Sequence, residues 1–289
     1  MSTAADTFAR GLAGRRRRGR AVTALLALLM ALTIGVLAWV LIYVALQGLQ
    51  YLGPSFLVQN PPGLPGAGGG GFFNGILGSF IIVGIAAAIA VPLGILSAIY
   101  LSEYGRGRWS HAVSFFTDIL IGIPTIVTGA FIYSVWVIRF GFSGFAGSLA
   151  LAIVMLPLII RTTTQMLQLV PDEMREGSLA LGATKRQTVI RIVLPTALPG
   201  IITGLMLAVA RAMGETAPLL LTALGNDLFT ETNPGKRMST LSLQIFNNAI
   251  SGFKANQARA WAGALTLVAI VLILTTVARF FASKSKVAR

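Results

Sequence analysis

Six stretches of almost uninterrupted apolar residues constrain this 289-residue chain more than any other feature. They lie at about residues 22–46, 74–100, 116–138, 144–167, 198–224 and 260–282. A helix of about 20 residues crosses the hydrocarbon core of a bilayer, so each stretch is long enough to span it. Apolar residues make up 55% of the chain and charged residues 11%. The sequence therefore predicts an all-α integral membrane protein with six transmembrane helices in a lipid bilayer.

The positive charge lies in short segments beside the apolar stretches. The net charge is +14, but lysine and arginine next to membrane spans indicate the cytoplasmic side rather than a nucleic-acid partner. The basic segments are residues 10–20, Arg106 with Arg108, residues 175–191, and residues 284–289. Residues 47–73 contain no lysine or arginine. This asymmetry predicts that both termini are cytoplasmic, although the long loop before the last stretch also carries basic residues.

The same pattern divides the chain into segments. We predict a basic cytoplasmic tail, a first transmembrane helix, a Gly- and Pro-rich outer loop, a core of five helices with a charged loop inside it, and a short cytoplasmic tail. Their bounds are residues 1–21, 22–46, 47–73, 74–282 with the charged loop at 171–195, and 283–289. The first apolar stretch is too long for a cleavable signal peptide, so we expect it to be retained. Within this outer loop, residues 60–71 are predicted to be flexible and non-helical.

The charged loop has strong local signals for two short helices. Pro171 and Asp172 suit a helix start, because acidic residues are favourable near the positive end of the helix dipole. Gly182 suits a sharp turn, since glycine accepts a positive φ. A second helix is predicted from about Thr184 to Leu194, and Pro195 is predicted to begin the return into the membrane.

This loop resembles the cytoplasmic EAA loop of ABC-importer permeases. The matching positions are Glu176, Gly182, Ile192, Leu194 and Pro195, and the small residues Gly177, Ser178 and Ala180 lie between the first two. Gly177 and Ser178 stand where the family usually has two alanines. The resemblance implies a type I, MetI-like permease in which Glu176, Gly177, Ser178, Ala180 and Gly182 contact a separate ATPase. The alternative is an amphipathic helix that lies on the lipid surface.

A second informative block contains two opposite charges inside the fifth apolar stretch. Arg211 and Glu215 are four residues apart, so on a continuous helix they share one face. Charges at this depth are costly unless they are paired, hydrated or beside a polar path. Arg211 can present a fork of donors to a tetrahedral oxyanion. Glu215 can orient Arg211 and can accept a hydrogen bond from a protonated oxygen of phosphate. The alternative is an ion pair that only neutralises itself.

The block from Arg211 through Thr216 to Pro218 resembles the A-type permease subunits of phosphate-specific ABC transporters, and the likeness covers about residues 72–282. In this family a basic position on the fourth span is implicated in transport, and Arg161 stands there. The resemblance therefore implies a phosphate pathway with Arg211, Glu215, Thr216 and Arg161. An arginine that extends to the headgroups is the alternative for Arg161. Import of sulfate or molybdate, and a passive anion channel, remain alternative functions.

An enzyme is a third possibility, because Gly141-Phe142-Ser143-Gly144 resembles the nucleophile motif of rhomboid proteases. That chemistry needs a histidine base on a later helix, and the single histidine, His111, precedes the motif. With no cysteine in the chain, His111 also cannot complete a zinc site. We therefore expect no catalytic residue and no metal site.

The resemblance also implies an assembly. It consists of this chain, a second phosphate permease as heterodimer partner, two copies of an ABC ATPase and an extracytoplasmic phosphate-binding protein, located in the bacterial inner membrane. No Walker A pattern occurs in the sequence. We expect the chain itself to bind no cofactor, with ATP and magnesium held by the ATPase.

Overall fold

The computed structural model describes residues 2–64, 66–105 and 107–287. Within these ranges the chain is helical and contains no β-strand. The basic positions Arg106 and Arg289 lie outside the described residues, as do the side chains of residues 1–18 and 281–289. The all-α prediction is confirmed.

The chain divides into two compact units, residues 1–47 and 48–289. The first unit is formed by α1, which runs from Ser2 to Leu49. Its apolar part, Gly19–Leu49, has a mean hydropathy of 2.7 and is long enough to span a membrane. The backbone of the basic segment therefore continues directly into the apolar helix.

The second unit contains the remaining helices. They are α2 (Pro54–Val58), α3 (Phe73–Ile99), α4 (Arg108–Gly122), α5 (Thr125–Ile132), α6 (Ile138–Phe140), α7 (Gly144–Gln168), α8 (Asp172–Ala180), α9 (Lys185–Thr188), α10 (Leu194–Gly214), α11 (Ala217–Leu220), α12 (Leu241–Ala249) and α13 (Lys254–Val287). Of three π-helical segments, Tyr100–Tyr104 extends α3, whereas Tyr133–Val137 and Val189–Val193 join consecutive helices. Five helices of the described chain qualify as membrane spans, or six if one bent pair counts as a span.

The core lies where α3, α7 and α10 pack together. Leu151, Met155 and Ile159 of α7 are almost completely buried against α3 and α10. Small residues allow this close approach: a Cβ at Gly94 of α3 would lie 2.5 Å from Cγ2 of Ile159. Burial of large side chains against a glycine face is typical of packed transmembrane helices.

The bent pair is the third predicted span. The sequence predicts one continuous helix at about 116–138, but α4 ends at Gly122 and the next helix begins at Thr125, with a bend of 104° between them. Pro124 explains the break, because the residue before a proline is forced away from the helical conformation. Ile123 is accordingly extended.

The fifth predicted span is also wrong at both ends. The structure has one continuous helix from Lys185 to Gly214, whereas the prediction is a span at about 198–224. Pro195 doesn't end the loop helix, because the π-helical segment Val189–Val193 carries the chain into α10 without a break. After Gly214 the chain is extended, and Pro218 lies in the first turn of α11.

The Gly- and Pro-rich part of the outer loop, residues 60–71, is non-helical in its described residues, as predicted, but the helix α2 (Pro54–Val58) precedes it and specific hydrogen bonds hold it in place. The amide of Gly71 donates to the carbonyl of Asn60 at 3.2 Å, and the amide of Phe72 donates to Phe56 at 3.1 Å. The buried guanidinium of Arg259 donates to the carbonyls of Ala67 and Gly69. An arginine of α13 therefore anchors the outer loop.

Candidate functional site

The charged loop forms two short helices joined by a tight turn. Helix α8 begins at Asp172, directly after Pro171, and Gly182 has a φ of 84°, so both local predictions are confirmed. Thr184 caps α9 with its side chain and forms a capping box with Gln187. This pattern satisfies amide groups that would otherwise lack partners at a helix start.

A hydroxyl pair joins the two short helices. Oγ of Ser178 and Oγ1 of Thr188 are 3.0 Å apart, and Thr188 is buried. The helix predicted from Thr184 to Leu194 does not end at Leu194, because α9 continues through a π-helical segment into α10. The second short helix of the loop is therefore continuous with the long helix Lys185–Gly214.

The EAA-like residues form an exposed surface. Glu176, Gly177, Ala180 and Gly182 are exposed, whereas Ser178 is half-buried by its contact with Thr188. The neighbouring Leu181 is 90% exposed. Met174 and Leu179 of α8 are exposed as well, and several large apolar side chains exposed on one loop are typical of a surface that another protein covers.

Arg175 anchors this loop to the rest of the unit. Its Nη2 lies 2.9 Å from Oε1 of Glu103, and the two side chains are 17% and 7% exposed. The guanidinium also donates to the carbonyls of Leu167 and Val170 at the end of α7, and to Asp172 at 3.0 Å. Neither Arg175 nor Glu103 has a role predicted from the sequence. The available signal was Glu103 itself, because the chain has only 9 acidic residues.

The fifth-span charges lie at a helix end. Arg211 is in the last turn of α10, and Glu215 is the first residue after that helix. The prediction that the two residues share one continuous helix is therefore wrong. Their side chains nevertheless meet, with Nε 3.2 Å from Oε1. Arg211 is 49% exposed and Glu215 16% exposed. The described chain therefore leaves much of this guanidinium free to meet another group.

The backbone around Glu215 is held in place. Oγ of Ser242 donates to the carbonyl of Glu215 at 2.9 Å. The next residue, Thr216, is half-buried, and its carbonyl accepts the amides of Leu219 and Leu220 in the first turn of α11. These bonds hold the chain where it leaves α10.

The structure brings Arg161 to the same place as Arg211. Both line a small cavity of about 70 Å³ together with Thr125 and Thr128. Nη1 of Arg161 is 3.8 Å from Oδ1 of Asp118 on α4, and both side chains are more than half exposed. Asp118 was not predicted from the sequence, although an acidic residue inside the third apolar stretch was a signal of function.

The motif considered for protease chemistry has a structural explanation. Ser143 caps the start of α7, where its Oγ accepts the amide of Ala146 at 3.1 Å, and the residue is 4% exposed. In the described residues, histidine and acidic side chains form no group able to hold a metal ion.

Comparison with known proteins agrees with this geometry. Residues 90–287 match the family described as "Binding-protein-dependent transport system inner membrane component". The chain is 41% identical to the phosphate transport system permease protein PstA of Yersinia pestis over 277 residues, covering 95% of this chain and 93% of the relative. It is 40% identical to the Haemophilus influenzae PstA over 252 residues, covering 86% and 88%.

Solved structures share the fold. A permease chain of a bacterial alginate ABC transporter superposes with a TM-score of 0.61 at 16% identity, covering 87% of this chain and 92% of that one. A chain of the inward-facing MetNI methionine ABC transporter gives 0.56 at 19% identity, covering 74% and 93%. The chain therefore belongs to the family of binding-protein-dependent transport system inner membrane components, among its phosphate transport system permease proteins.

Proposed function

We propose that this chain is the permease subunit of an ATP-driven importer of inorganic phosphate and forms half of its translocation pathway. The observation that carries the proposal is the meeting of Arg161 and Arg211 at one cavity. The two lie 50 positions apart in a chain that is 41% identical to a phosphate transport permease. Two guanidinium groups at one cavity can hold a doubly charged oxyanion.

Each pathway arginine has a carboxylate beside it, and these carboxylates favour phosphate over sulfate. Glu215 lies next to Arg211, and a carboxylate accepts a hydrogen bond from a protonated phosphate oxygen. Sulfate has no proton to offer at neutral pH, so the carboxylate repels it. Thr216 extends this polar segment at the end of α10. Import of another oxyanion, such as sulfate or molybdate, is the alternative.

We propose that the charged loop at residues 171–195, with Glu176, Gly177, Ser178, Ala180 and Gly182, is the contact with an ABC ATPase, and we name it the coupling loop. Its support is the compact pair of helices α8 and α9 and the apolar Leu181 exposed between them. The partner ATPase, in two copies, binds ATP and magnesium and hydrolyses ATP, so this chain has no catalytic role. A second permease subunit completes the pathway, and an extracytoplasmic binding protein delivers phosphate.

The location proposed is the bacterial inner membrane, with both termini in the cytoplasm. Uptake of labelled phosphate and sulfate by vesicles containing the copurified complex tests the whole proposal. We expect phosphate uptake that requires ATP, the binding protein and both permeases. Phosphate flux without ATP would favour a passive channel, and faster sulfate uptake would favour the alternative substrate.

A further inference from the structure

A polar cavity of about 350 Å³ lies between α4 and α7, on the side of the unit where the coupling loop begins. Gln168 lines both this cavity and the one beneath the coupling loop. The polar residues that line the 350 Å³ cavity include Ser114, Asp118, Arg161 and Thr164. Such a concentration of hydrogen-bonding groups between two helices of a membrane protein is costly unless it serves a polar ligand or water.

Arg161 lines this cavity and has unused donors. Arg175 donates to two carboxylates and two carbonyls, and Arg259 to two carbonyls and one amide oxygen. Arg161, in contrast, has only the 3.8 Å approach to Asp118 among the described residues, which is too long for a hydrogen bond. Its planar fork of five N–H donors is therefore available to a ligand.

A second group in the cavity also lacks a partner. Oγ1 of Thr164 is buried and forms no hydrogen bond with the described residues. It lies one helical turn after Arg161 on α7, so the two side chains face the same cavity. Buried hydroxyl groups are nearly always hydrogen-bonded in folded proteins, so the hydroxyl of Thr164 has an unused donor for a ligand of this cavity.

We infer that this cavity is a second binding site for a protonated tetrahedral oxyanion, which the anion occupies after the Arg211 position and before it leaves beside the coupling loop. This inference rests on the proposed phosphate import. The guanidinium of Arg161 and the hydroxyl of Thr164 donate to anion oxygens, and the carboxylate of Asp118 accepts the anion's own O–H. Asp118 thereby selects against an oxyanion that carries no proton.

Arg161 connects the two positions. It lines the 70 Å³ cavity together with Arg211 and also the 350 Å³ cavity together with Asp118. The two sites repeat the same chemistry, an arginine beside a carboxylate. One guanidinium shared between adjacent cavities lets an anion move from the first site to the second without losing all of its positive partners.

The absence of cysteine allows a direct binding test in the assembled complex. A cysteine introduced at Ser114, which lines the cavity, is labelled with a small neutral methanethiosulfonate, and its modification is followed by the mass of this chain. We expect inorganic phosphate to slow the modification at least about 3-fold relative to sulfate at equal ionic strength. The matched control is Thr203→Cys, in a separate 370 Å³ cavity that has Arg279 but no carboxylate, where the two anions should act alike.

Two further variants test the assigned roles in the Ser114→Cys background. Thr164→Val removes the unpaired hydroxyl and should abolish the protection by phosphate, whereas Asp118→Asn should allow sulfate to protect as well as phosphate. ATP-dependent phosphate uptake is measured on the same preparations. If uptake occurs but phosphate and sulfate protect Ser114→Cys equally, this site is refuted and the importer remains. If no phosphate uptake occurs at all, the proposed function fails first.

Discussion

Arg175 and Glu103 join two segments that are 72 positions apart in the chain. Nη2 of the arginine lies 2.9 Å from Oε1 of the glutamate, and Nε of the same arginine contacts that oxygen at 3.3 Å. Glu103 belongs to the π-helical end of the α3 span, whereas Arg175 belongs to the coupling loop. The ion pair thus holds the coupling loop against the α3 span, which does not neighbour the loop in the sequence.

The second half of the loop contacts the same π-helical segment. Nζ of Lys185 lies 4.9 Å from the ring centroid of Tyr104. Both contacts surround a cavity of about 440 Å³ beneath the loop, lined by Glu103, Arg175 and Lys185 among others. A push on the loop is therefore expected to move the end of α3 as well as α7 and α10, and the cavity leaves space for that movement.

The first prediction concerns this ion pair. Glu103→Gln leaves the guanidinium of Arg175 without its nearly buried counter-charge, and loss of one partner of a buried pair costs about 3 kcal/mol or more. We expect a lower thermal unfolding midpoint of the complex and less phosphate transported per ATP hydrolysed, while the ATPase still copurifies. Asp172→Asn is the matched control, since Asp172 is 86% exposed and its pair with Arg175 is worth less than about 1 kcal/mol. Equal effects of the two variants would contradict the prediction.

The second prediction compares two glycines of the coupling loop. Gly182 has a φ of 84°, so alanine there is strained by about 1–2 kcal/mol although no atom lies within 4 Å of its Cβ. Gly177 is within α8 and also has free space, so alanine there should stabilise the helix by about 0.5–1 kcal/mol. We expect Gly182→Ala to weaken copurification of the ATPase and Gly177→Ala to preserve it. Opposite results would show that the turn isn't needed for docking.

The third prediction separates an oxyanion site from a self-neutralising ion pair. Arg211→Gln should lower phosphate uptake about 10- to 100-fold, because hydrogen bonds to charged groups are worth about 1.5–3 kcal/mol. Arg211→Lys should retain part of the activity, since it keeps the charge but loses the planar fork. Uptake is measured in vesicles with normal amounts of assembled complex.

The double variant Arg211→Gln with Glu215→Gln is the control for this prediction. It removes both charges together, so a purely structural pair would be repaired. We expect the complex to assemble and to remain inactive. Near-normal phosphate uptake by the double variant would refute the role of Arg211 in binding, although the permease function would stand.

The fourth prediction concerns topology. A cysteine at Gly68, where the built Cβ meets no atom within 4 Å, should react with an impermeant maleimide added outside intact cells. A cysteine at Ser285, in the basic C-terminal segment, should react only after the cells are permeabilised. The physical reason is the excess of lysine and arginine on the cytoplasmic side. The reverse labelling pattern would invert the proposed orientation.

The sequence alone determined the features that depend on neighbouring residues. Apolar stretches of bilayer length predicted the class of protein, because backbone groups in lipid must be satisfied within a helix. Pro171 with Asp172 predicted the start of α8, and Gly182 predicted the turn with positive φ, since both depend on local backbone chemistry. The same local reading failed at Gly122 and Gly214, where apolar composition continues but the helices end.

Only the tertiary structure decided which distant charges meet. Arg175 reaches Glu103, and Arg161 lies beside Asp118, across 72 and 43 positions of the chain. Neither pair follows a helical or strand period, so no pattern along the sequence could reveal it. The pairs form because α3 packs closely on α7, with Gly94 against Ile159, and because the 104° bend after α4 sets the position of α4. Helix packing, rather than local propensity, therefore places the charges that the proposed transport requires.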